Sequence, residues 1–253
     1  MKTVMIGKVE VGTGMPKVIV PIVEKTKEEI AAKGKLLRSY SMDVVEWRVD
    51  FFEGVNDIAK VLDCAEELKK ALGDIPILFT FRTAKEGGEK AIETDAYVKL
   101  NCALIQSGFV DACDVEVFTG DEAVRTIIAA AHEAGKAVVA SNHDFHKTPA
   151  KDDLLYRLRK MKDLGADIPK IAVMPTCPAD VLTLLEATEK MKREYADGPI
   201  ITMSMGPMGV ISRIAGEAFG SAMTFGAVGK VSAPGQIPVE KLQEAMQILH
   251  EGM

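Results

Sequence analysis

The sequence predicts an α/β fold, a (β/α)8 TIM barrel preceded by an N-terminal β-hairpin, on three observations. Short β-branched and apolar runs alternate with helical stretches, one unit roughly every 30 residues, the length of a βαβ crossover. Eight such units fill the 253 residues with no remainder. The first strand runs into VPIVEKTKEE, without the glycine-rich turn that marks the first strand of a doubly wound sheet. Alternation of this kind forces parallel pairing, because each helix returns the chain to the same end of the sheet. Residues 1–253 are expected to form one barrel domain, a length that such barrels routinely occupy.

The elements follow in order. Thr3 to Ile6 and Lys8 to Val11 read as a small hairpin turning at Gly7 and stopped by Gly12 and Gly14, so that residues 1–14 precede the main fold. Lys17 to Val23 is the first barrel strand, and Thr26 to Ser39 its helix, with Thr26 as N-cap. Strand two is Asp43 to Val49 with helix Ile58 to Leu72; strand three is Ile77 to Phe81 with helix Thr94 to Gln106. Strand four is Asp114 to Val117 with helix Asp121 to Ala134; strand five is Ala137 to Ala140 with helix Lys151 to Leu164. Strand six is Lys170 to Val173 with helix Ala179 to Tyr195; strand seven is Pro199 to Met203 with helix Ser212 to Ala218. Strand eight is Ala222 to Phe225, and Pro238 to Glu251 closes the chain.

Composition bounds the partners. Hydrophobic residues make up 47% and charged ones 27%, enough apolar material for a core and ordinary for a globular protein. A net charge of −6 argues against nucleic acid or an anionic membrane, both of which need a basic face. No stretch has the roughly 18 apolar residues of a membrane span. The start MKTVMIGKVEVG carries charges where a signal peptide needs an apolar core, so a cytoplasmic location is expected. Cys64, Cys102, Cys113 and Cys177 are scattered, without a CxxC pair, and reduced thiols are expected.

In such a barrel the active site lies beyond the strand C-termini. Polar groups recur there: Glu46 and Arg48, Arg82 with Lys85-Glu86-Gly87-Gly88, Glu116, Ser141-Asn142-His143, Lys170, Arg213, and Ser232 through Gln236. Each also has a plainer reading. Glu46 and Arg48 share one strand face and suit a buried ion pair as well as substrate. Glu116 reads first as a core carboxylate paired with Lys170 or an arginine, and Gly87-Gly88 as a flexible loop. His143 and His146 lack HExxH spacing, and no metal is expected.

Lys170 resists a plain reading. It sits on an apolar strand 27 residues after His143, one βαβ unit away. An ammonium inside a barrel is costly unless paired or neutral. At the ordinary pKa near 10.4 roughly one lysine in a few thousand is neutral at pH 7; a fall to about 7 or 8 would make the free amine common. Burial and neighbouring cations such as Arg48, Arg82 or Arg213 would supply that shift. The pair then reads as an amine nucleophile with an acid/base partner.

The motifs EWRVDFF (46–52), LFTFRTAKEGGE (78–89), SNHDFHKTP (141–149), DIPKIAVMP (167–175), ITMSM with GVISR (201–213), FGSAMTFGAV (219–228) and SAPGQI (232–237) resemble the type I 3-dehydroquinate dehydratases, in order and across essentially the whole chain. The resemblance implies a homodimeric barrel that converts 3-dehydroquinate to 3-dehydroshikimate in the shikimate pathway, with neither metal nor organic cofactor. It also implies roles: Lys170 as the Schiff-base lysine, His143 as general acid/base, Glu86 as the carboxylate that orients His143, and Arg213 at the substrate carboxylate. Glu46, Arg48, Arg82, Ser232 and Gln236 fall on positions contacting the ring hydroxyls and carboxylate, and Gly235 would let the last loop fold over the site as a lid.

Two departures stand out. Pro21 replaces a serine of some relatives, and Thr176-Cys177-Pro178 stands where a Gln-Asn-like pair is expected. The competing functions are another Schiff-base barrel of class I aldolase type, which would handle a phosphorylated sugar, and a non-catalytic barrel, whose signature would be loss of Lys170 or His143.

Overall fold

The computed structural model describes residues 2–253. Two strands, β1 (Val4–Ile6) and β2 (Val9–Val11), pair antiparallel. The turn between them depends on Gly7, whose φ of +57° is strained for any residue with a Cβ. Eight parallel strands follow: β3 (Lys17–Ile22), β4 (Val44–Arg48), β5 (Ile77–Thr80), β6 (Ala112–Glu116), β7 (Ala137–Asp144), β8 (Ile168–Val173), β9 (Ile201–Ser204) and β10 (Met223–Phe225). They pair in the order β10-β3-β4-β5-β6-β7-β8-β9. The gap between β9 and β10 is bridged by Ile200 against Ser221, where the Ala222 amide donates to the Ile200 carbonyl at 2.8 Å, so the sheet curls into a near-closed barrel.

Helices α1 (Lys27–Leu37), α2 (Ile58–Leu72), α3 (Thr94–Ser107), α4 (Asp121–Glu133), α5 (Lys151–Asp163) and α6 (Pro178–Lys190) alternate with the strands, and α9 (Val239–Glu251) closes the chain. Thr26 begins α1 with a reciprocal capping box, its hydroxyl accepting from the Glu29 amide while the Glu29 carboxylate accepts from the Thr26 amide. The layer between sheet and helices is mainly apolar: Trp47, Phe79, Val115, Val138, Ile171 and their helical partners form one buried cluster. Trp47 and Phe79 meet edge to face at 5.9 Å.

The inward residues form layers. At the N-terminal end Ile19, Val44, Leu78, Ala112, Val139, Ile168, Ile201 and Met223 fill the barrel, and Ile6 and Val11 of the hairpin join the same cluster as a plug. One pleat further up the layer splits: Glu46, Thr80, Asp114, Ser141 and Lys170 on β4–β8 are polar, while Met203 and Phe225 on β9 and β10 are apolar. That split gives the upper barrel a charged wall facing an apolar one.

Several element bounds differ from the sequence expectation, β8 among them, which begins at Ile168. Strand β7 continues four residues past Ala140, because Ser141-Asn142-His143-Asp144, polar enough to read as loop, still pairs with Lys170 through Val173. Strand β6 starts two residues earlier than expected, at Ala112. The single helix expected over 212–218 is two, α7 (Val210–Ile214) and α8 (Gly216–Phe219); a Cβ on Gly216 would lie 2.8 Å from the Ser221 carbonyl oxygen, so chain and sheet meet there. Among the described residues no helix is long and apolar enough to cross a membrane.

Candidate active site

The cavity at the C-terminal mouth of the barrel is lined by Glu46, Arg48, Arg82, Glu86, His143, Lys170, Ser232 and Gln236 together with Phe145, Met203, Met205 and Phe225. Eight of the nine residues singled out from the sequence therefore meet on one surface. The ninth, Arg213, is buried beside it and approaches the Met203 sulfur at 3.9 Å.

Strand register explains the meeting. Lys170 lies beside Ser141, and His143 beside Ala172, so lysine and histidine share the inner face one pleat apart. Lys170 Nζ donates to Asp114 Oδ2 at 3.0 Å, lies 3.7 Å from Glu46 Oε1 and 4.7 Å from the centre of the Phe225 ring. The direct contacts of Lys170 are thus two carboxylates and an aromatic face; of the cations expected around it, Arg82 lies one carboxylate away, on the other oxygen of Asp114.

His143 Nδ1 lies 2.9 Å from Glu86 Oε2, and the His143 backbone amide donates to the same oxygen at 2.9 Å. Asn142 Nδ2 holds the other oxygen at 3.0 Å. Nε2 is the ring nitrogen left for the cavity. Burial, with Glu116 next, pushes Glu86 up to about 8. Burial, then Arg82, Lys170 and Arg48, pushes His143 well below the usual histidine range. Glu86 and His143 together therefore hold two protons below about pH 8 and one above, and only the one-proton form, a carboxylate gripping Nδ1–H, offers a free base at Nε2. We expect activity to rise with pH through about 8, and Glu86→Gln to lose that rise along with about 10- to 100-fold in kcat. A kcat profile of each from pH 6 to 10 checks both.

The arginines divide by partner. Arg82 Nη1 donates to Glu116 Oε1 and to Ser141 Oγ, each at 2.9 Å, and Nη2 donates to Asp114 Oδ1 at 2.7 Å. Glu116 is thus the core carboxylate read from the sequence, with an arginine as its partner. Arg48 does not pair with Glu46; it grips Asp50 through two bonds of 2.8 Å, and Glu46 accepts from Thr80 Oγ1 instead. Arg213 has no carboxylate among the described residues. Its Nη2 donates to the Pro234 carbonyl at 2.9 Å, and its buried Nε has no partner. An unpaired guanidinium beside a cavity is a ready receptor for a ligand carboxylate.

The glycines of the two flanking loops are packing devices. A Cβ on Gly88 would fall 1.9 Å from the Arg82 carbonyl oxygen, so this is no flexible loop. The segment after β10 lies over the cavity, with Ser232 and Gln236 joined by Gln236 Nε2 to Ser232 Oγ at 3.0 Å and by the Ser232 amide to Gln236 Oε1 at 2.9 Å. It rests on the β9 loop through the Gly206 amide to the Pro234 carbonyl at 3.1 Å. Gly235 has φ +79°, and a Cβ there would sit 2.4 Å from the Gly206 carbonyl oxygen. Gly235→Ala is therefore expected to unseat this segment, raising KM about tenfold and speeding proteolytic nicking within residues 229–236, which timed digestion reads directly.

Asp114 and Asp50 are not among the site residues the sequence points to, and Ser141 is marked there only as part of the polar end of its strand. Asp114 was readable only as the first residue of a strand; the signal that would have found it is the Asp-x-Glu alternation of CDVEV, which puts Asp114 and Glu116 on one face. Pro21 is buried and pairs in register with Glu46. Cys177 is exposed and caps α6, away from the cavity-lining residues. No group of three or more His, Cys, Asp or Glu among the described residues is arranged to hold a metal ion.

A family model for type I 3-dehydroquinase matches residues 18–253. The chain belongs to the type I 3-dehydroquinase family. A curated 3-dehydroquinate dehydratase from Salmonella agona (strain SL483) is 54% identical over 251 residues, 99% of this chain and 100% of its own length. The type I 3-dehydroquinate dehydratase of Clostridium difficile, solved with covalently modified comenic acid, superposes with a TM-score of 0.97 at 50% identity, over 100% of this chain and 99% of that one. The Enterococcus faecalis 3-dehydroquinate dehydratase gives 0.91 at 43%, covering 97% and 98% of the two chains. A 3-hexulose-6-phosphate synthase, 18% identical with a TM-score of 0.61, shares the fold alone. The family assignment and the barrel expected from the sequence motifs both hold.

Proposed function

We propose that the chain dehydrates 3-dehydroquinate to 3-dehydroshikimate, a step of the shikimate pathway to aromatic amino acids, through an imine on Lys170 with His143 as general acid/base. The observation that carries this reading is a buried lysine and a carboxylate-held histidine on adjacent strands, opening into one cavity beside an unpaired arginine. Curated relatives more than half identical bear the name of this activity.

The steps follow from the chemistry of the groups. Arg213 takes the substrate carboxylate, while Glu46, Arg48, Arg82, Ser232 and Gln236 border the ring hydroxyls. The Lys170 amine attacks the ketone, His143 moves the protons that let its oxygen leave as water, and an iminium results. His143 Nε2 then removes the proton from the carbon next to the iminium, whose C=N⁺ accepts the electron pair. The enamine expels the hydroxyl at the far carbon, which takes its proton from His143 and leaves as water. A second water hydrolyses the conjugated iminium and frees the lysine. Glu86 keeps the imidazole turned for both transfers. No metal or organic cofactor enters this sequence. The whole chain acts as one barrel domain; we place it in the cytoplasm on the charged start of the sequence, and as a homodimer on the family resemblance.

A direct assay tests the reaction. Purified protein given 3-dehydroquinate should generate the ultraviolet absorbance of a conjugated enone, and should not cleave or join phosphorylated aldol substrates. Aldol turnover without enone formation would favour the class I aldolase alternative.

A further inference from the structure

We propose that Asp114 is the counterion of the imine nitrogen on Lys170, the group that keeps this nitrogen protonated so that it can act as an electron sink. The proposal rests on the Lys170 imine proposed above.

As an ammonium Lys170 has three N–H donors, and its nitrogen is set between Asp114 Oδ2 at 3.0 Å and Glu46 Oε1 at 3.7 Å. Condensation with a ketone converts R–NH₃⁺ and O=C into R–NH⁺=C and H₂O. The C–N bonds form from the nitrogen electron pairs, the ketone oxygen leaves with two of the three protons, and the charge on nitrogen is conserved. The iminium has one N–H left, so it serves one acceptor. Asp114 Oδ2 is the nearer of the two and already bonded. Glu46, which also accepts from Thr80, is then free to face the substrate.

Asp114 is built to remain an anion. It is fully buried, its other oxygen is held by Arg82 Nη2 at 2.7 Å and Ser141 Oγ at 2.6 Å, and the same Arg82 is fixed by Glu116. Burial alone would raise its carboxyl, but Arg82 and Lys170 outweigh burial and hold it at about 2. It therefore cannot remove the iminium proton at working pH. Phe225 adds an aromatic face 4.7 Å from the nitrogen, which also favours its positive form. A neutral imine is a far weaker electron acceptor than an iminium, so an unprotonated adduct would form and then stall before the proton is taken from carbon.

The test separates adduct formation from adduct protonation. Intact-mass measurement counts total adduct, and initial rates of borohydride reduction, which proceeds on the iminium, follow its protonation from pH 6 to 10. Wild-type enzyme with 3-dehydroquinate should give reduction that stays level to the alkaline end. Asp114→Asn keeps the shape but turns an amide towards the nitrogen; reduction should fall off at least one pH unit earlier and kcat should drop about 100-fold, with KM changed less than threefold. Ser141→Ala, which removes one anchor of Asp114 and one acceptor of Arg82 but leaves the ion pairs of Arg82 with Asp114 and Glu116, should shift both in the same direction by a smaller amount, and it carries the test if the Asn variant does not fold. Superimposable reduction profiles for the wild type and whichever variant is folded would overturn the role given to Asp114 while leaving the imine intact. No reducible adduct on the wild-type lysine would overturn the imine itself, and with it this role.

Discussion

Lys170→Met is expected to abolish turnover, lowering kcat by on the order of 10⁴-fold or more, as loss of a covalent nucleophile does. Methionine nearly matches the lysine stem in length and fills the same space between Phe225 and β7 without a charge. The variant should still bind substrate, because Arg213 and the Ser232–Gln236 segment do not depend on Lys170 for their contacts. The structural cost has a definite source: Asp114 loses one of its three partners but keeps Arg82 and Ser141. Breaking a buried pair outright costs about 3–5 kcal/mol. With two partners retained, a loss of about 1–3 kcal/mol is expected. Thermal melts report the stability loss, ligand-induced protection reports binding, and the enone assay reports turnover. Full activity in this variant would remove the lysine from the mechanism.

His143→Ala should have the second largest effect, and of a different kind. Loss of a positioned acid/base costs about 10²- to 10⁴-fold in kcat. The imine itself can still form slowly with water carrying the protons, so borohydride should still label Lys170 in this variant. Glu86 keeps Asn142 and the amide of residue 143 as donors, and its loop should stay in place. A variant that turns over poorly yet labels well separates the proton-transfer role from the nucleophile. A variant that neither turns over nor labels would assign His143 chiefly to imine formation.

The barrel was legible because its period is written in the chain: buried parallel strands appear as short apolar runs, and the helices between them as longer amphipathic ones. Strand β8 shows the principle: KIAV reads as a buried strand opening on one residue that does not belong in it, the lysine at the site, although the strand itself begins two residues earlier, at Ile168. Strand β7 shows the limit. Its last four residues are polar because they face the cavity, so the segment that carries His143 looked like a loop. Polarity inside a barrel marks a site, but by local pattern alone it also resembles solvent exposure.

The same limit explains the pairings. That Glu46 and Arg48 share a face follows from two-residue alternation, yet Arg48 turns to Asp50 in the turn after β4. Asp114 had no sequence signal stronger than its place in CDVEV. Its importance comes from β5, β7 and β8, which bring Arg82, Ser141 and Lys170 to it from 32, 27 and 56 residues away. Partners at such separations are set by register around the barrel, which depends on the whole sheet.

The central claim is covalent chemistry at one nitrogen, and an intact-protein mass after borohydride reduction in the presence of 3-dehydroquinate tests it most directly. The account predicts one adduct per chain, mapped by peptide digestion to the segment carrying Lys170 and absent from Lys170→Met. Dehydration proceeding at full rate with no adduct, or with the adduct on another lysine, would contradict it.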